Sequence, residues 1–171
     1  APDCSRVVMA IDPPASVGPK ADTCGIVVAG SYGEGRGKSA VVLADVSAQG
    51  LSPEGWAARA AAHARSLDCD CIVAEANNGG EMVRTMLRLA APDMPVRLVY
   101  ASRGKAARAE PVVMLYEQGR VAHAAAFPAL EDEMCAFGVP GGGVGKDRVD
   151  ALVWAITDLL IHDSEPRLRA L

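Results

Sequence analysis

Four acidic residues stand where their carboxylates could act together. Asp12 ends the apolar run 7–11 and is followed by two prolines, and Glu75 ends a second apolar run. Asp147 and Asp150 lie three residues apart at the start of a long apolar segment, so on a helix they share one face. Carboxylates that meet repel one another unless one binds a proton or a hard divalent cation lies between them. The four acids together therefore favour a metal site.

Each acid has a simpler explanation when it is taken alone. An Asp before Pro-Pro is commonly a turn former, and Glu75 could be an ordinary carboxylate at a strand end. Asp147 with Asp150 has the form of a helix N-cap and its partner acid. Only the coincidence of an acid at two strand ends and a pair at a helix start favours the metal.

Other chemistries find little support. The phosphate-binding pattern G-x-x-x-x-G-K-[ST] fails twice, because Tyr32 and Pro140 stand where its first glycine is needed. His63 and His162 fall on predicted helices without partners, and His123 follows a predicted strand as a weaker candidate for the site. No Ser/His/Asp or Cys/His arrangement is evident, so we predict neither an ATP site nor a nucleophilic triad.

The composition is that of one domain, 1–171, with reduced cysteines. The chain has 171 residues, 50% of them hydrophobic, and single domains typically have ~50–250 residues. No stretch approaches the roughly 18 uncharged apolar residues of a membrane helix, so we expect no membrane partner. The five cysteines are odd in number and dispersed, as in a cytosolic protein. We expect Cys69 and Cys71, two residues apart, to point to opposite faces and not to hold one metal jointly.

The elements that position the acids are an antiparallel hairpin region followed by alternating strands and helices. Three strands are predicted at 7–12, 23–30 and 39–46, and Ser52 is the predicted N-cap of a helix that ends near residue 67. The further predicted elements are strands at 70–75 and 95–100, helices at 81–89, 103–118, 130–137 and 146–162, a short extended piece at 120–124 and a frayed tail at 163–171.

One crossover brings the first two acids together. The connection from the third strand through the helix to the fourth strand should be right-handed, which places the fourth strand beside and parallel to the first. Asp12 and Glu75 then end neighbouring parallel strands at an edge where ligands tend to bind. The predicted architecture is a five-stranded mixed α/β sheet, its first three strands antiparallel, with helices on both faces.

With these residues in place, the chain resembles the nuclease domain of the large terminase subunit of tailed bacteriophages and of gene transfer agents. The resemblance covers nearly the whole chain and implies a ribonuclease H-like fold. The matching segments occur in the family's order and are Ile11-Asp12-Pro13-Pro14, 73–80 (VAEANNGG), 105–112 (KAARAEPV) with 115–121 (LYEQGRV), and 147–155 (DRVDALVWA).

The resemblance implies an endonuclease that cuts concatemeric double-stranded DNA during packaging into a prohead. Asp12, Glu75 and Asp150 would be the metal-binding catalytic acids, with Asp147 as an auxiliary ligand. Asp150 is preferred to Asp147 because it heads the Asp-Ala-Leu-Val-Trp-Ala signature. Two Mg²⁺ or Mn²⁺ ions, roughly 3.5–4 Å apart, would bind the scissile phosphate.

DNA must approach an acidic site on a chain of net charge −4, so basic flanks are needed. Lys105 and Arg108 are favoured because they lie in a matching segment, whereas Arg97 and Arg120 are interpreted as ordinary surface charges. Cutting should be largely independent of sequence, since no major-groove recognition element is evident. The remaining candidates for phosphate contact are Lys38, Arg36, Lys146 and Lys20.

The resemblance also implies a setting. Family members carry an ATPase motor domain that is absent here, so we expect an excised nuclease domain. Its partners would be that motor, the portal and the small terminase subunit, in the cytoplasm of the bacterial host. Two alternatives stay open: another ribonuclease H-like nuclease, such as a Holliday-junction resolvase of the RuvC type, and a non-catalytic docking domain of the same fold.

Overall fold

The central strand, Arg6–Asp12, is the apolar run that ends on the first candidate acid. The computed structural model describes residues 2–14, 22–77, 79–137 and 146–162. Within these residues the strands are β1 Arg6–Asp12, β2 Thr23–Tyr32, β3 Ser39–Asp45, β4 Ala48–Gln49, β5 Cys71–Glu75, β6 Val96–Val99 and β7 Val121–His123. The helices are α1 Pro53–Ser66, α2 Gly80–Ala90, α3 Lys105–Glu117, α4 Pro128–Ala136 and α5 Asp147–Ile156, and α5 continues into a π-helical stretch, Thr157–Ile161.

The sheet has the predicted topology. Its order is β6-β5-β1-β2-β3-β7, and β4 pairs with β2. Strands β1, β2 and β3 are antiparallel neighbours, whereas β5 lies parallel to β1 and β6 lies parallel to β5. The predicted crossover and the neighbouring parallel strands are therefore confirmed.

The predicted number of five strands is wrong. The extended piece at 120–124 contains β7, which extends the sheet by pairing in parallel with β3, and β4 adds two residues beside β2. Both strands are too short to show an alternating pattern. Each owes its extended form to hydrogen bonds with a longer neighbour, such as the bond from the Ala40 amide to the Arg120 carbonyl at 2.8 Å.

Helices cover both faces of the sheet, as predicted. Side chains alternate along a strand, so Val8 and Ala10 face one core while Met9 and Ile11 face the other. The first core is packed by α3, α4 and α5, and the second by α1 and α2 around buried Trp56. By the same alternation Asp12 faces α5. None of the described helices is both long and apolar enough to cross a bilayer.

The final helix differs from the prediction of one regular helix at 146–162. Its π-helical stretch turns Asp158 inward, where the side chain is buried and pairs with Arg6 at 2.8 Å and with Arg97. Arg120 donates two hydrogen bonds to the Lys38 carbonyl, at 3.0 and 2.7 Å. Arg120 is therefore a partly buried structural contact, and its interpretation as an ordinary surface charge is wrong. Arg97 is exposed, as interpreted, and also pairs with Asp158.

All five cysteines are free. Cys69 packs into the core beneath α1 and α2 while Cys71 lies against the other core, so the two thiols lie on opposite faces of the sheet, as expected. Strand alternation is not the reason, since residues two apart in a strand share a face. Cys69 precedes β5, which begins at Cys71.

Ser52 is the N-cap of α1, and its removal should destabilise the fold. Its hydroxyl accepts a hydrogen bond from the Gly55 amide at 3.1 Å, and Pro53 opens the helix. We expect Ser52→Ala to lower the free energy of unfolding by ~1 kcal/mol in urea titrations, while Ser52→Asp retains most of it. Ser66→Ala, at the other end of the same helix, is the matched control. A Ser52→Ala variant as stable as its parent would contradict the assignment.

Candidate active site

Three of the predicted acids come together at one edge of the sheet. Asp12 and Glu75 are the last residues of the parallel neighbours β1 and β5, whose final pair is Ile11 with Ala74. Asp150 lies in the first turn of α5, over the face to which both strand ends point. All three carboxylates are largely buried, with exposed side-chain fractions of 13% for Asp12, 14% for Glu75 and 2% for Asp150.

Arg108 links two of these acids. Its guanidinium donates to Glu75 Oε2 at 2.9 Å and to Asp150 Oδ1 at 3.2 Å. It also stacks on the Trp154 ring, 4.9 Å from the ring centroid. A planar guanidinium held by two carboxylates and an aromatic face has little freedom to turn elsewhere. Arg108 therefore holds the carboxylates of Glu75 and Asp150 in place from within the site.

Lys105 lies one turn earlier on α3 and enters the same cluster. Its Nζ contacts Asp150 Oδ2 and lies 4.0 Å from Asp12 Oδ2. Burial alone would lower the pKa of Lys105, but the contact with Asp150 and the nearby Asp12 outweigh it and raise that pKa. The ammonium thus stays charged between two carboxylates.

Trp154 is a site residue that the sequence analysis missed. Its Nε1 donates to Glu75 Oε2 at 2.6 Å, so one carboxylate oxygen accepts from both Trp154 and Arg108. A signal was present in the sequence: Trp154 follows Asp150 by four residues and so shares its helix face. A cavity of about 240 Å³ opens beside Trp154 and is lined in part by Tyr100 and Arg103.

The acids disturb one another's protonation. Burial, together with the charges of Glu75 and Asp150, raises the pKa of Asp12 to about 8. Burial also raises the pKa of Asp150, although Lys105 and Arg108 oppose the shift. Asp147, at the edge of the cluster, has its pKa raised to about 6, chiefly by burial. The site holds more negative charge than its surroundings stabilise.

The donor set fits a hard divalent cation. Among the described residues no three His, Cys, Asp or Glu side chains are arranged around a single point as metal ligands, and Lys105 and Arg108 occupy oxygens of Glu75 and Asp150. Yet the donors are all carboxylate oxygens, which Mg²⁺ and Mn²⁺ prefer. The Lys105 ammonium already stands in for a cation between Asp12 and Asp150.

The other candidate DNA contacts are scattered. Asp12 pairs with Gly25 near the start of β2, whereas Lys38 follows the far end of that strand. At ~3.3 Å per residue, the seven residue-to-residue steps from Gly25 to Tyr32 separate the two places by roughly 23 Å. Arg36 lies at the same hairpin tip. Lys146 lies over the Phe137 ring at 5.5 Å, and Lys20 lies outside the described residues.

Of the remaining sequence candidates, His123 lies apart from the acids, whereas Asp147 lies at the edge of their cluster. His123 bonds to the Tyr116 hydroxyl at 2.8 Å and to Glu131 at 2.9 Å, between β7 and α4. Asp147 is the first residue of α5 but does not cap it, because the N-cap position belongs to Lys146. The simpler explanation of Asp147 as an N-cap is therefore wrong.

The sequence from residue 9 to residue 161 matches the family model described as Terminase RNaseH-like domain. The chain belongs to this family. The matched range contains Asp12, Glu75, Asp147 and Asp150, and it confirms the resemblance drawn from the sequence. Among curated proteins, none matches the sequence significantly.

Solved terminase nuclease domains share the fold. The large terminase nuclease from thermophilic phage G20c has a TM-score of 0.64 at 17% identity, over 92% of this chain and 83% of that chain. The nuclease domain of the large terminase subunit gp2 of bacterial virus Sf6 has a TM-score of 0.63 at 14% identity, over 91% and 89%. A mutant of that Sf6 domain has been solved with manganese and beta-thujaplicinol.

A resolvase shares the fold as well. Thermus thermophilus RuvC has a TM-score of 0.53 at 17% identity, over 88% of this chain and 91% of that chain. Likeness at such identities shows the fold, which is the ribonuclease H-like fold expected from the sequence.

The raised pKa of Asp12 predicts how stability depends on pH. A carboxyl whose pKa rises from about 4 in the unfolded chain to about 8 in the folded one binds its proton more tightly when folded. Its stabilising contribution is therefore present at low pH and is lost as the pH rises through about 8. In EDTA, Asp12→Asn should be more stable than the parent, and its advantage in Tm should grow by roughly 5 °C between pH 4.5 and 8.5.

The control for this measurement is Asp132→Asn, which alters an exposed carboxyl on α4. Its melting temperature should follow that of the parent at both pH values. An Asp12→Asn advantage that is constant with pH, or that shrinks as pH rises, would contradict the electrostatic description of the site.

Proposed function

We propose that this terminase RNase H-like domain is a divalent-metal-dependent endonuclease that cleaves concatemeric double-stranded DNA during viral genome packaging. The observation that carries the proposal is the convergence of Asp12, Glu75 and Asp150 from three separate elements on one buried edge. The family and the manganese recorded for the Sf6 domain support the same chemistry.

Asp12, Glu75 and Asp150 would hold two Mg²⁺ or Mn²⁺ ions, with Asp147 as an auxiliary ligand. When bound there, such ions would supply activation of the attacking water and stabilisation of the leaving 3′-oxygen of a phosphodiester. The chain itself orients the ligands: Arg108 fixes Glu75 and Asp150 relative to each other, and Trp154 holds Glu75 Oε2 through its indole N–H. Glu75 is thereby kept in one rotamer.

Lys105 has two roles in this proposal. Its side chain is 47% exposed, and its ammonium lies at the end of a flexible four-carbon stem. The ammonium can therefore leave the acids without any movement of α3. Beside Asp150 it neutralises excess charge, and with DNA present it turns to a phosphate near the scissile bond. This reconciles its contact with Asp150 and its assignment as a DNA-binding residue.

The proposed path of the DNA backbone follows from charge and uses fewer basic residues than the sequence indicated. Lys105 lies at the acids, and Arg103 lies exposed on the same side, two residues before it. Lys38 and Arg36, roughly 23 Å away along β2, would contact phosphates well removed from the scissile one. Backbone contacts of this kind carry no sequence information, so cutting is largely sequence-independent.

The proposed biological context of this domain is the viral DNA-packaging assembly. In the full-length protein an ATPase motor domain would feed DNA to this domain, and the portal and small terminase subunit would be its partners in the bacterial cytoplasm. The assembly could belong to a phage, a prophage or a gene transfer agent.

A resolvase is the second candidate, because Thermus thermophilus RuvC shares the fold. The family match over residues 9–161 favours the terminase. A purely docking domain is disfavoured by energetics: buried, mutually repelling acids cost stability, which a site without chemistry has no reason to retain.

The proposal is tested by plasmid cleavage. With Mn²⁺ or Mg²⁺ the chain should nick or linearise supercoiled plasmid, EDTA should abolish the reaction, and Asp12→Ala should slow it ~100-fold or more because a metal ligand is lost. Asp93→Ala, which removes an exposed partner of Arg65, should leave the rate unchanged. Full activity in EDTA or in Asp12→Ala would overturn the proposal, and a preference for Holliday junctions over linear duplex would favour the resolvase.

Removal of Lys105 should tighten metal binding. Without DNA the ammonium competes with Mn²⁺ for Asp12 and Asp150, so Lys105→Ala should bind Mn²⁺ ~5–10-fold more tightly than the parent. Electron paramagnetic resonance of free Mn²⁺ measures this affinity directly, with Arg103→Ala as the matched control. Weaker Mn²⁺ binding by Lys105→Ala would show that the lysine supports the site rather than competes for it.

A further inference from the structure

Helix α5 begins without a side-chain cap of its own, although two candidate ligands lie in its first turn. The N-cap residue, Lys146, makes no side-chain capping bond. The first amides of a helix need partners when they are buried. Here Glu133 of α4 supplies them: its Oε2 accepts from the Arg148 amide at 3.0 Å and from the Val149 amide at 3.4 Å. A carboxylate at this end also suits the helix dipole.

The Arg148 side chain connects the first turn of α5 to helix α4 and to strand β3. Its NH1 donates to Glu133 Oε1 at 2.8 Å, and its Nε donates to Asp45 Oδ2 at 3.1 Å, at the end of β3. Glu133 is 4% exposed, so its charge is balanced by these contacts and not by water. The turn is thus anchored both to α4 and to the sheet.

Gly25 sets how closely this turn approaches the sheet. It pairs with Asp12 across β1 and β2, on the face that α5 covers. A Cβ added at Gly25 would lie 1.9 Å from the Asp147 carbonyl oxygen and 2.4 Å from its carbon. Since those are backbone atoms of α5, no side chain fits unless the start of the helix moves. The absence of a side chain at Gly25 therefore lets the helix rest directly beside Asp12.

We infer that Gly25 and Glu133 are positioning residues, which set the height and direction of the first turn of α5 so that Asp150 and Asp147 meet Asp12. The inference rests on the proposed function, because its consequence is metal affinity. Both residues act through the backbone of α5. Gly25 limits the separation between helix and sheet, and Glu133 fixes the helix start against α4.

Two variants and two matched controls test the inference. Gly25→Ala should weaken Mn²⁺ binding ~10–100-fold and Glu133→Gln ~10-fold, the range found when the support of a metal ligand is lost. Gly30→Ala, in the same strand, places its Cβ against the Cys4 side chain rather than α5. Glu131→Gln, on the same helix as Glu133, alters the contact with His123. Both controls should bind Mn²⁺ within ~2-fold of the parent.

A double-mutant cycle separates positioning from general destabilisation. In an Asp150→Asn background the ligand is gone, so Glu133→Gln should weaken the remaining Mn²⁺ binding much less than it does in the parent. Amide hydrogen exchange gives a readout without metal: Arg148 and Val149 should exchange faster in Glu133→Gln and unchanged in Glu131→Gln. If Gly25→Ala fails to fold, Glu133→Gln carries the test alone.

The possible outcomes distinguish a failure of the positioning role from a failure of the proposed nuclease function. Parent-like Mn²⁺ affinity in Gly25→Ala and Glu133→Gln would overturn the positioning role and leave the nuclease proposal standing. A parent that binds Mn²⁺ without cutting DNA would overturn the nuclease proposal while the affinity series still decides the positioning role. A parent that binds no Mn²⁺ would overturn both.

Discussion

Repulsion among buried carboxylates is the constraint on which this structure depends. Asp12, Glu75 and Asp150 are held at one edge with little access to water, and burial with the neighbouring charges raises the pKa of Asp12 to about 8. An arrangement of this kind is unfavourable in itself, so it persists only when the surrounding fold enforces it. Lys105 and Arg108 offset part of the negative charge, and the remaining excess is what makes the edge suited to a divalent cation.

The scaffold enforces the arrangement through backbone contacts more than through the acids themselves. Strand β1 lies between β5 and β2, so Ile11 is paired on both sides, and Asp12 itself pairs with Gly25 of β2. Helix α5 contributes the third acid, and the close approach at Gly25 and the carboxylate of Glu133 determine where that helix starts. The packing that completes the core therefore also brings the acids together.

Local signals in the sequence predicted most of the fold. The run that ends at Asp12 and the cap at Ser52 depend on breakers and capping chemistry within a few residues, and the right-handed crossover then placed β5 beside β1. The short strands β4 and β7 were beyond this kind of reasoning, because their hydrogen bonds come from partners distant in sequence. The burial of the Asp158 carboxylate was likewise beyond prediction, because its partners Arg6 and Arg97 come near it only in the folded chain.

Some features of the candidate site could likewise be predicted from the sequence, and others could not. That Asp12 and Glu75 end neighbouring strands followed from topology. The destination of Lys105 and Arg108 did not, because a long side chain takes whichever partner the tertiary structure offers, and here that partner was a carboxylate. Glu133 was missed for a related reason. When the capping side chain comes from another helix, the sequence next to the capped helix contains no capping residue that would signal it.

A crystal structure of the chain soaked in Mn²⁺, with anomalous diffraction to locate the metal, tests most directly whether the three carboxylates bind a cation. We expect anomalous density coordinated by Asp12, Glu75 and Asp150, with the Lys105 ammonium withdrawn from Asp150. Manganese bound elsewhere, with none at these three carboxylates, would contradict it.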